Sequence, residues 1–345
     1  MQIIDEFIEV PESLKLLSDF YPGKRIMMFD IETTGLSAFQ SFIYIIGVNE
    51  IVDGKWRIRQ YFNDDGMSEP EIIEAFEKAL PDYDAVIEFN GDKFDFPFVE
   101  KRMGQIQMKT GRQIENNHNR IQKIDLMKLI FPYKFALGLP NIKQKTIERY
   151  LGIHREDKYN GGELISIYLD YLSDNDSRKK HLVLQHNRDD MVGMISLLPI
   201  LSIHSVAKGS TTVPALSTKE KGSKLYLCLS GQLKQAVPET IEAFAYHCDL
   251  KASGKSICLE VPLEKKTLLY FTPGGSGKVA DYEKTSLFAP GLSTWVNQLM
   301  SYKESGRNKE CFYEVNDAFL GNGEALMNYM GQMCGLIMED RGKNR

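Results

Sequence analysis

With 345 residues the chain is long enough for two domains, and its 43% hydrophobic and 26% charged residues are ordinary for a soluble globular protein. The sequence lacks a run of about 18 apolar residues, which a membrane span would need. Residues 1–6 also lack the basic and then apolar pattern of a signal peptide. We therefore expect a cytoplasmic protein with no membrane partner.

The cysteines of the chain are few and widely spaced. They are Cys228, Cys248, Cys258, Cys311 and Cys334, all in the last third of the sequence. Their number is odd, and no two of them form a Cys-x-x-Cys pair. This pattern argues against both a disulfide framework and a zinc site.

The formal net charge of -5 conceals an asymmetry along the chain. Residues 1–100 carry 8 Lys and Arg against 21 Asp and Glu, whereas residues 101–180 carry 16 against 9. The basic span could track nucleic-acid phosphates beside an acidic, metal-holding region. It could equally be a set of solvated helix faces, because a charge excess is not a patch until the chain folds.

Residues 1–24 are predicted to be a lead-in to the first domain, with one short helix inside it. Three strands follow, over Arg25–Ile31, Phe42–Val48 and Trp56–Phe62, the last with clear period-two alternation. The Asp-Gly pair at 53–54 separates the second strand from the third and is a strong hairpin signal. Together these features predict an antiparallel meander.

An amphipathic helix is predicted from Ser68 to Leu80, and a buried strand follows over Ala85–Phe89. The order strand, helix, strand implies a right-handed crossover, and therefore a mixed sheet with helices on its faces. Residues 125–130 fit either the end of a strand or a helix. Further helices are expected over residues 95–104, 140–151, 161–172 and 178–201.

Small, polar and basic residues dominate residues 205–223, which we interpret as a linker. Beyond it, the sequence predicts a separate and smaller α+β domain of unknown role over residues 224–340. Its strands are expected over 225–229, 241–248, 257–261 and 268–272, and its helices over 292–303 and 323–337.

Two carboxylates, Asp30 and Glu32, interrupt the apolar run of the first strand. Successive side chains of a strand point to opposite faces, so residues two apart project side by side from one face. Their repulsion would destabilise the fold unless a cation lies between them, and a hard divalent metal with oxygen ligands fits. An isolated pair of this kind is more often a solvent-facing strand end. A metal site is therefore indicated only if other parts of the chain supply matching residues.

Two later stretches also carry titratable side chains. Asp95 lies at the start of a predicted helix. A role as a helix cap, or in a favourable interaction with the helix dipole, would be enough to explain it there. His186 and Asp190 are four residues apart and therefore share one face of a later helix. Taken alone, that pair is more often a capping or surface contact than a catalytic site.

The three stretches occur in an order that resembles the exonuclease motifs of the DEDD superfamily of 3′ to 5′ exonucleases. Three motifs in the right order are a far stronger signal than any one of them. They read Asp30-x-Glu32, then Asn90-x-x-x-Phe94-Asp95, then His186-x-x-x-Asp190.

Within that superfamily the chain is similar to the YprB-like ribonuclease-H-like domain, through residues 29–36, 89–95, 150–153 and 186–187. The resemblance implies an α/β, ribonuclease-H-like fold, with a mixed five-stranded sheet and helices on both faces. We accordingly place the exonuclease domain at residues 25–204, before the linker and the α+β domain.

The resemblance also implies two Mg²⁺ or Mn²⁺ ions held by oxygen ligands. Asp30 would bridge the ions, while Glu32 and Asp190 would complete the metal on the nucleophile side. Asp95 would hold the other metal directly or through water. His186 could take the proton of the attacking water. The substrate-binding residues that the motifs imply are Thr33, Gly35, Leu36, Asn90 and Phe94.

The closing motif departs from the superfamily pattern, which is commonly Tyr-x-x-x-Asp or His-x-x-x-x-Asp. This chain combines His with the shorter spacing, and the residue five after His186 is Met191, which cannot hold a metal. Asp190 is therefore the expected ligand. One helical turn separates it from His186, so the imidazole should overhang the bound metal rather than ligate it.

The sequence thus predicts a two-metal-dependent 3′ to 5′ exonuclease that hydrolyses phosphodiester bonds of DNA or RNA. Its expected partner is nucleic acid, with a single-stranded 3′ end. The alternatives are a nucleic-acid-binding module that retains the nuclease fold and a structure-selective endonuclease. A binding module would have no reason to keep four mutually repelling acids.

Overall fold

The computed structural model describes the chain as two compact units. The first comprises Met1–Leu129 with Lys143–Leu198, and the second comprises Ile130–Ile142 with Pro199–Arg345. Each unit contains one β-sheet with its own helices. The residues described are 1–154, 159, 161–212, 214–270, 282–291, 301–303 and 311–341.

The first unit is built on a mixed sheet, as predicted, but the sheet has six strands and not five. The strand order is β1-β4-β3-β2-β5-β6, in which β5 runs parallel to both of its neighbours and the other pairs are antiparallel. The predicted meander is confirmed as β2, β3 and β4. The strands are β1 (Gln2–Ile8), β2 (Ile26–Thr33), β3 (Ile43–Val52), β4 (Lys55–Phe62), β5 (Ala85–Glu88) and β6 (Gln122–Asp125).

The additional strand is β1, so the interpretation of residues 1–24 as a lead-in is wrong. It pairs with β4 along its whole length, from Gln2 opposite Phe62 to Ile8 opposite Trp56. Both of its faces mix apolar with polar residues, which hides the usual alternation of a half-buried strand. Pairing with β4, and not hydrophobic pattern, therefore defines this edge of the sheet.

Helices cover both faces of this sheet. The predicted helix over 178–201 is two helices, because Pro199 lacks the N–H that a continuous helix would need there. Residues 125–130 combine a strand end with a short helix. The helices of the first unit are α1 (Pro11–Phe20), α2 (Glu69–Ala79), α3 (Asp95–Thr110), α4 (Leu126–Ile130, which ends in the second unit), α5 (Gln144–Tyr150), α6 (Gly161–Asp174) and α7 (Ser177–Ser196).

Packing assigns each face of β2 to different helices. Phe29 stacks on Phe76 of α2 and packs against the tilted ring of Phe96 of α3, with ring centroids 4.8 and 4.6 Å apart. The odd-numbered residues of β2 thus face the core formed with α2 and α3. Helix α7 contacts β2, β3 and β4. Because side chains alternate along a strand, the even-numbered residues of β2 face α7.

The second unit is built on an eight-stranded sheet with the path β12-β14-β13-β11-β10-β9, on which β8 also pairs with β11 and β7 with β8. Helix α10 contacts α8 and α9 as well as strands of this sheet. The elements are α8 (Ile200–Ala207), β7 (Ala215–Lys221), β8 (Lys224–Gln232), β9 (Ile241–Ala245), β10 (Cys248–Ser253), β11 (Ser256–Tyr270), β12 (Tyr282–Gly291), β13 (Ser301–Lys303), β14 (Cys311–Glu314), α9 (Asp317–Leu320) and α10 (Gly323–Met338).

Residues 205–223 are not a simple linker, because they contain the end of α8 and all of β7. Strand β7 pairs with β8 from Ala215 to Lys221, and all seven of its residues are exposed. A fully exposed edge strand has the polar composition of a linker, which explains the error. Of the helix predicted over 292–303, residues 292–300 lie outside the described residues and Ser301–Lys303 form β13.

Within the part of the chain that the structure describes, one helical stretch, Ser177–Ala207, is long and apolar enough to cross a membrane, judged by length and composition only. About two thirds of its most apolar window, 67%, is buried inside the protein. Burial of this kind is also found in the core helices of folded domains. The stretch is therefore weak support for a membrane span.

Candidate active site

Strand β2 presents the first two predicted residues. Asp30 lies opposite Gly47 of β3, and Glu32 lies opposite Ile45. Both belong to the even-numbered face of β2, on which α7 packs. The register shifts just after Glu32, where the strand ends. The two carboxylates consequently project from the same face of β2, as the sequence predicted, and that face is the one on which α7 packs.

Helix α7 brings the second pair to the same place. His186 Nε2 lies 3.2 Å from Asp190 Oδ2 and 3.8 Å from Glu32 Oε1. One ligand-type atom from each of these three residues lies within 4.8 Å of the others. The imidazole nitrogen thus lies close to both carboxylates, in a position that suits a ligand as well as a base, and its placement over a bound metal stays a prediction.

The third element, α3, contributes Asp95 as its first residue. Its Oδ1 accepts a hydrogen bond of 3.3 Å from the backbone N–H of Ile31, which lies between Asp30 and Glu32 on β2. The Asp95 side chain is buried. It is therefore joined to the carboxylate-bearing strand and is more than a helix cap.

Asn187 also belongs to this site, although no role is predicted for it from the sequence. It is fully buried, its Oδ1 accepts a 2.9 Å hydrogen bond from Gln60 Nε2, and its Nδ2 donates to Asp30 Oδ2 at 3.5 Å. A Cβ atom at Gly47 would lie only 2.4 Å from Asn187 Oδ1. The sequence contains one signal for this role, namely a polar residue on the apolar face of a helix together with a glycine inside a predicted strand.

The electrostatics of the site favour a cation. Burial, together with the charges of Asp190 and Asp95, raises the pKa of Glu32 to about 8 despite a hydrogen bond from Asn187. Burial likewise raises the pKa of Asp95 to about 7. Ionising these carboxylates is unfavourable in the absence of a cation. Their oxygens are suitable ligands for a hard divalent metal ion. The residues present are therefore compatible with the two Mg²⁺ or Mn²⁺ ions expected from the sequence.

Three predicted substrate-binding residues lie at the end of β2 and in the turn after it, where Thr33 and Gly35 are partly buried and Leu36 is exposed. Leu36 is 89% exposed, which is unusual for a large apolar side chain. Thr33 Oγ1 donates to the carbonyl oxygen of Gly35 at 2.9 Å. A Cβ atom at Gly35 would lie 2.5 Å from Ser41 Oγ, so a larger residue there would require the Ser41 hydroxyl to move.

The other two predicted substrate residues precede α3. Asn90 has a positive φ of 67°, and its backbone N–H donates to Asp125 Oδ1 at 3.1 Å. Phe94 packs against the core of the first unit, with its ring centroid 5.4 Å from that of Phe98. Phe94 is thus in part a core residue.

Several solved structures are similar to this chain. The family B DNA polymerase from the hyperthermophilic archaeon Pyrobaculum calidifontis is 12% identical over 92% of this chain and 46% of the polymerase, with a TM-score of 0.45. A structure of exonuclease I is 12% identical over 49% of this chain and 45% of that one, with a TM-score of 0.27. E. coli exonuclease I in complex with a dA16 oligonucleotide is 11% identical over 93% and 75%, with a TM-score of 0.26.

This chain spans about half of the length of the polymerase and of the first exonuclease I chain. Similarities at these low identities and TM-scores do not indicate the activity of this chain. A search of curated protein sequences gave no match.

The sequence itself matches a family model. The RNase_H_2 family of the RNase_H superfamily matches residues 27–202, more than half of the 345 residues. The match includes nearly all of β2, the strands β3 to β6, the helices α2 to α7 and all five predicted site residues, and it leaves out β1 and α1. The predicted ribonuclease-H-like α/β fold is thereby confirmed, and the chain belongs to the RNase_H superfamily.

Proposed function

We propose that this chain is a metal-dependent nuclease of the DEDD superfamily, close to its YprB-like domains. It hydrolyses phosphodiester bonds of DNA or RNA from a 3′ end. The observation that carries this proposal is the convergence of four carboxylates and one imidazole, from β2, α3 and α7, in a ribonuclease-H-like fold. These residues are Asp30, Glu32, Asp95, His186 and Asp190.

The carboxylates would hold two divalent ions. Asp30 projects between β2 and α7 and would serve both of them, while Glu32 and Asp190 would serve one and Asp95 the other. When bound, such ions supply a nucleophile near neutral pH and stabilise charge on the attacking and leaving oxygens. The protein contributes ligands whose positions are fixed by a strand and by two helices.

His186 is the group in the site that is suited to move a proton. Its Nε2 lies 3.2 Å from Asp190 Oδ2, so a water beside that carboxylate would be within hydrogen-bond reach of the imidazole. The turn after β2 would receive the terminal nucleotide, because the exposed Leu36 side chain offers an apolar surface for a base.

Direct assay of the purified full-length chain tests the proposal. Single-stranded DNA and RNA oligonucleotides labelled at the 5′ end are incubated with Mg²⁺, with Mn²⁺ and with chelator. We expect a ladder of products shortened from the 3′ end, dependent on metal. A circular single-stranded substrate should stay intact, which separates exonuclease from endonuclease activity.

Matched substitutions of aspartate complete the test. Asp30→Asn should abolish the ladder, whereas Asp53→Asn, which removes the same charge at the hairpin between β3 and β4, should leave it unchanged. The absence of any chelator-sensitive product with either metal would refute the nuclease proposal. Binding of the oligonucleotides without cleavage, unaffected by Asp30→Asn, would favour the binding-module alternative.

A further inference from the structure

A second cluster of acids lies at the ends of two neighbouring strands of the first unit. Glu88 ends β5 and Asp125 ends β6, and the two are register partners in this parallel pair. Asp92 follows in the turn after β5. One carboxylate oxygen from each of the three lies within 4.8 Å of the others. The proposed nuclease mechanism uses none of these residues.

Backbone amides hold one oxygen of each buried carboxylate in place. The N–H of Gly91 donates to Glu88 Oε2, and the N–H groups of Asn90 and Lys128 each donate to Asp125 Oδ1 at 3.1 Å. These contacts fix the orientation of both side chains. Their other oxygens are thereby directed away from the amides.

Those other oxygens have no hydrogen-bond partner among the described residues. Glu88 Oε1 and Asp125 Oδ2 are both fully buried atoms, on side chains of residues that are 1% and 4% exposed. A buried carboxylate oxygen without a donor loses its hydration and gains nothing in return. Something that these protein contacts do not include must therefore compensate for the buried charge.

The charge around the cluster is only partly balanced. Lys128 Nζ contacts Asp92, but the lysine and aspartate side chains are 55% and 22% exposed, and such surface pairs are weak and easily exchanged. Burial, followed by the charge of Asp125, raises the pKa of Glu88 to about 8. A shared proton or a cation would relieve this repulsion.

We propose that Glu88, Asp92 and Asp125 bind a divalent cation that prefers oxygen ligands, such as Mn²⁺, Mg²⁺ or Ca²⁺. Two directed buried oxygens supply fixed ligands, and the partly exposed Asp92 supplies a third ligand and a path for entry from solvent. A proton shared by Glu88 and Asp125 would relieve the repulsion between these two residues. It would not explain why the carboxylate of Asp92 lies close to both of them. The bound cation ties the ends of β5 and β6 to the turn that leads into α3.

Metal binding at this cluster can be distinguished from metal binding at the candidate active site by weakening the active site and then substituting the cluster. In the Asp30→Asn, Asp190→Asn double variant of the full chain, Mn²⁺ binding is followed by calorimetry and by electron paramagnetic resonance. We expect one remaining site per chain. Adding Asp92→Asn, at a partly exposed position that should not disturb folding, is expected to weaken binding at least about tenfold. Adding Lys128→Met should strengthen it, because a competing cation is removed.

The matched control is Asp82→Asn in the same background, which removes one charge before β5 begins and should leave Mn²⁺ affinity unchanged. If the double variant binds no Mn²⁺ up to millimolar concentrations, the buried pair holds a proton and the proposal is overturned. Unchanged affinity after Asp92→Asn would overturn it as well. Because the background already lacks two active-site carboxylates, neither outcome depends on the nuclease proposal.

Discussion

At the scale of single residues, Asn187 connects the sheet to the candidate active site. It receives a hydrogen bond from Gln60 on β4 and donates one to Asp30 on β2, while lying against the backbone of Gly47 on β3. Groups that orient metal ligands tune the affinity and reactivity of a site without touching the substrate. We infer that Asn187 positions the carboxylate of Asp30.

Replacing Asn187 by alanine should therefore lower activity as well as stability. The expected loss of metal affinity or turnover is roughly 10-fold to 100-fold, as for other groups that orient metal ligands. Asn49→Ala is the matched control, since Asn49 is equally buried on β3 and donates only to the backbone of Met191 at 2.6 Å. It should lose stability but keep its activity per folded molecule. Equal activity of the two folded variants would limit Asn187 to a structural role.

His186 can be tested in a similar way, because its position suits either a base or a ligand. If it is the general base, His186→Ala should lower turnover roughly 10²-fold to 10⁴-fold with little change in metal affinity. A large loss of Mn²⁺ affinity, measured by calorimetry, would instead identify it as a ligand. His186→Tyr restores the common residue of the superfamily at this spacing. Activity in that variant, with the alanine variant inactive, would indicate a role in orienting water.

Candidate site residues could be named from the sequence because three motifs occur in the order of a known superfamily and carry side chains that suit one chemistry. Strand alternation places Asp30 and Glu32 on one face, and the order of the three motifs is what assigns them to a site. The sequence did not reveal the position of His186, since its distance from Glu32 depends on how α7 packs on the sheet. Nor did it reveal Glu88 and Asp125 as a pair, because their contact requires the parallel register of β5 and β6.

At the scale of elements, the best-predicted parts are those with strong local signals. The hairpin between β3 and β4 has φ values of 51° at Asp53 and 73° at Gly54, which suit the predicted Asp-Gly turn. Helices with a clear apolar stripe, such as α2, were also found. The elements that were missed include β1 and β7, edge strands whose pairing is decided by backbone hydrogen bonds and not by hydrophobic pattern.

The importance of β1 can be measured by deleting residues 1–8. The strand covers the edge of β4, and Glu6 forms two hydrogen bonds of 2.9 and 2.7 Å with Arg188 of α7. Its deletion should lower the melting temperature and promote aggregation through the uncovered edge. Glu6→Gln is the milder control, expected to cost only a small part of the effect because a single partly exposed ion pair contributes little. A deletion variant as stable as the full chain would show that β1 is dispensable.

At the scale of the whole molecule, the acidic site should make stability depend on pH when metal is removed. The raised pKa values of Glu32 and Asp95, about 8 and about 7, mean that the folded state binds protons more tightly than the unfolded chain does. The associated stability is complete below the ordinary values of 4.5 and 3.8 and is lost as the pH rises through about 7 to 8.

In chelator, the melting temperature should therefore fall between about pH 5.5 and pH 8.5. Glu32→Gln should make this fall smaller, though not abolish it, because the pKa of Glu88 is raised in the same direction. Adding Mn²⁺ at the higher pH should restore stability, since metal binds the folded state preferentially. Differential scanning calorimetry across this range tests the sign, and a slope identical in Glu32→Gln would contradict the assignment.

The division into units gives a last prediction about the boundary proposed at residue 204. Residues 130–142 belong to the second unit although the chain then returns to the first. Within the second unit, Tyr133 is 2% exposed and its hydroxyl lies 2.8 Å from His204 Nδ1. A fragment of residues 1–198 would retain Tyr133 but would lack His204 and the rest of the second unit after residue 198. We expect it to melt at a lower temperature, and bind more of a hydrophobic dye, than the same fragment with residues 130–142 replaced by a flexible Gly-Ser linker. Indistinguishable melting and dye binding would show that this segment does not need the second unit.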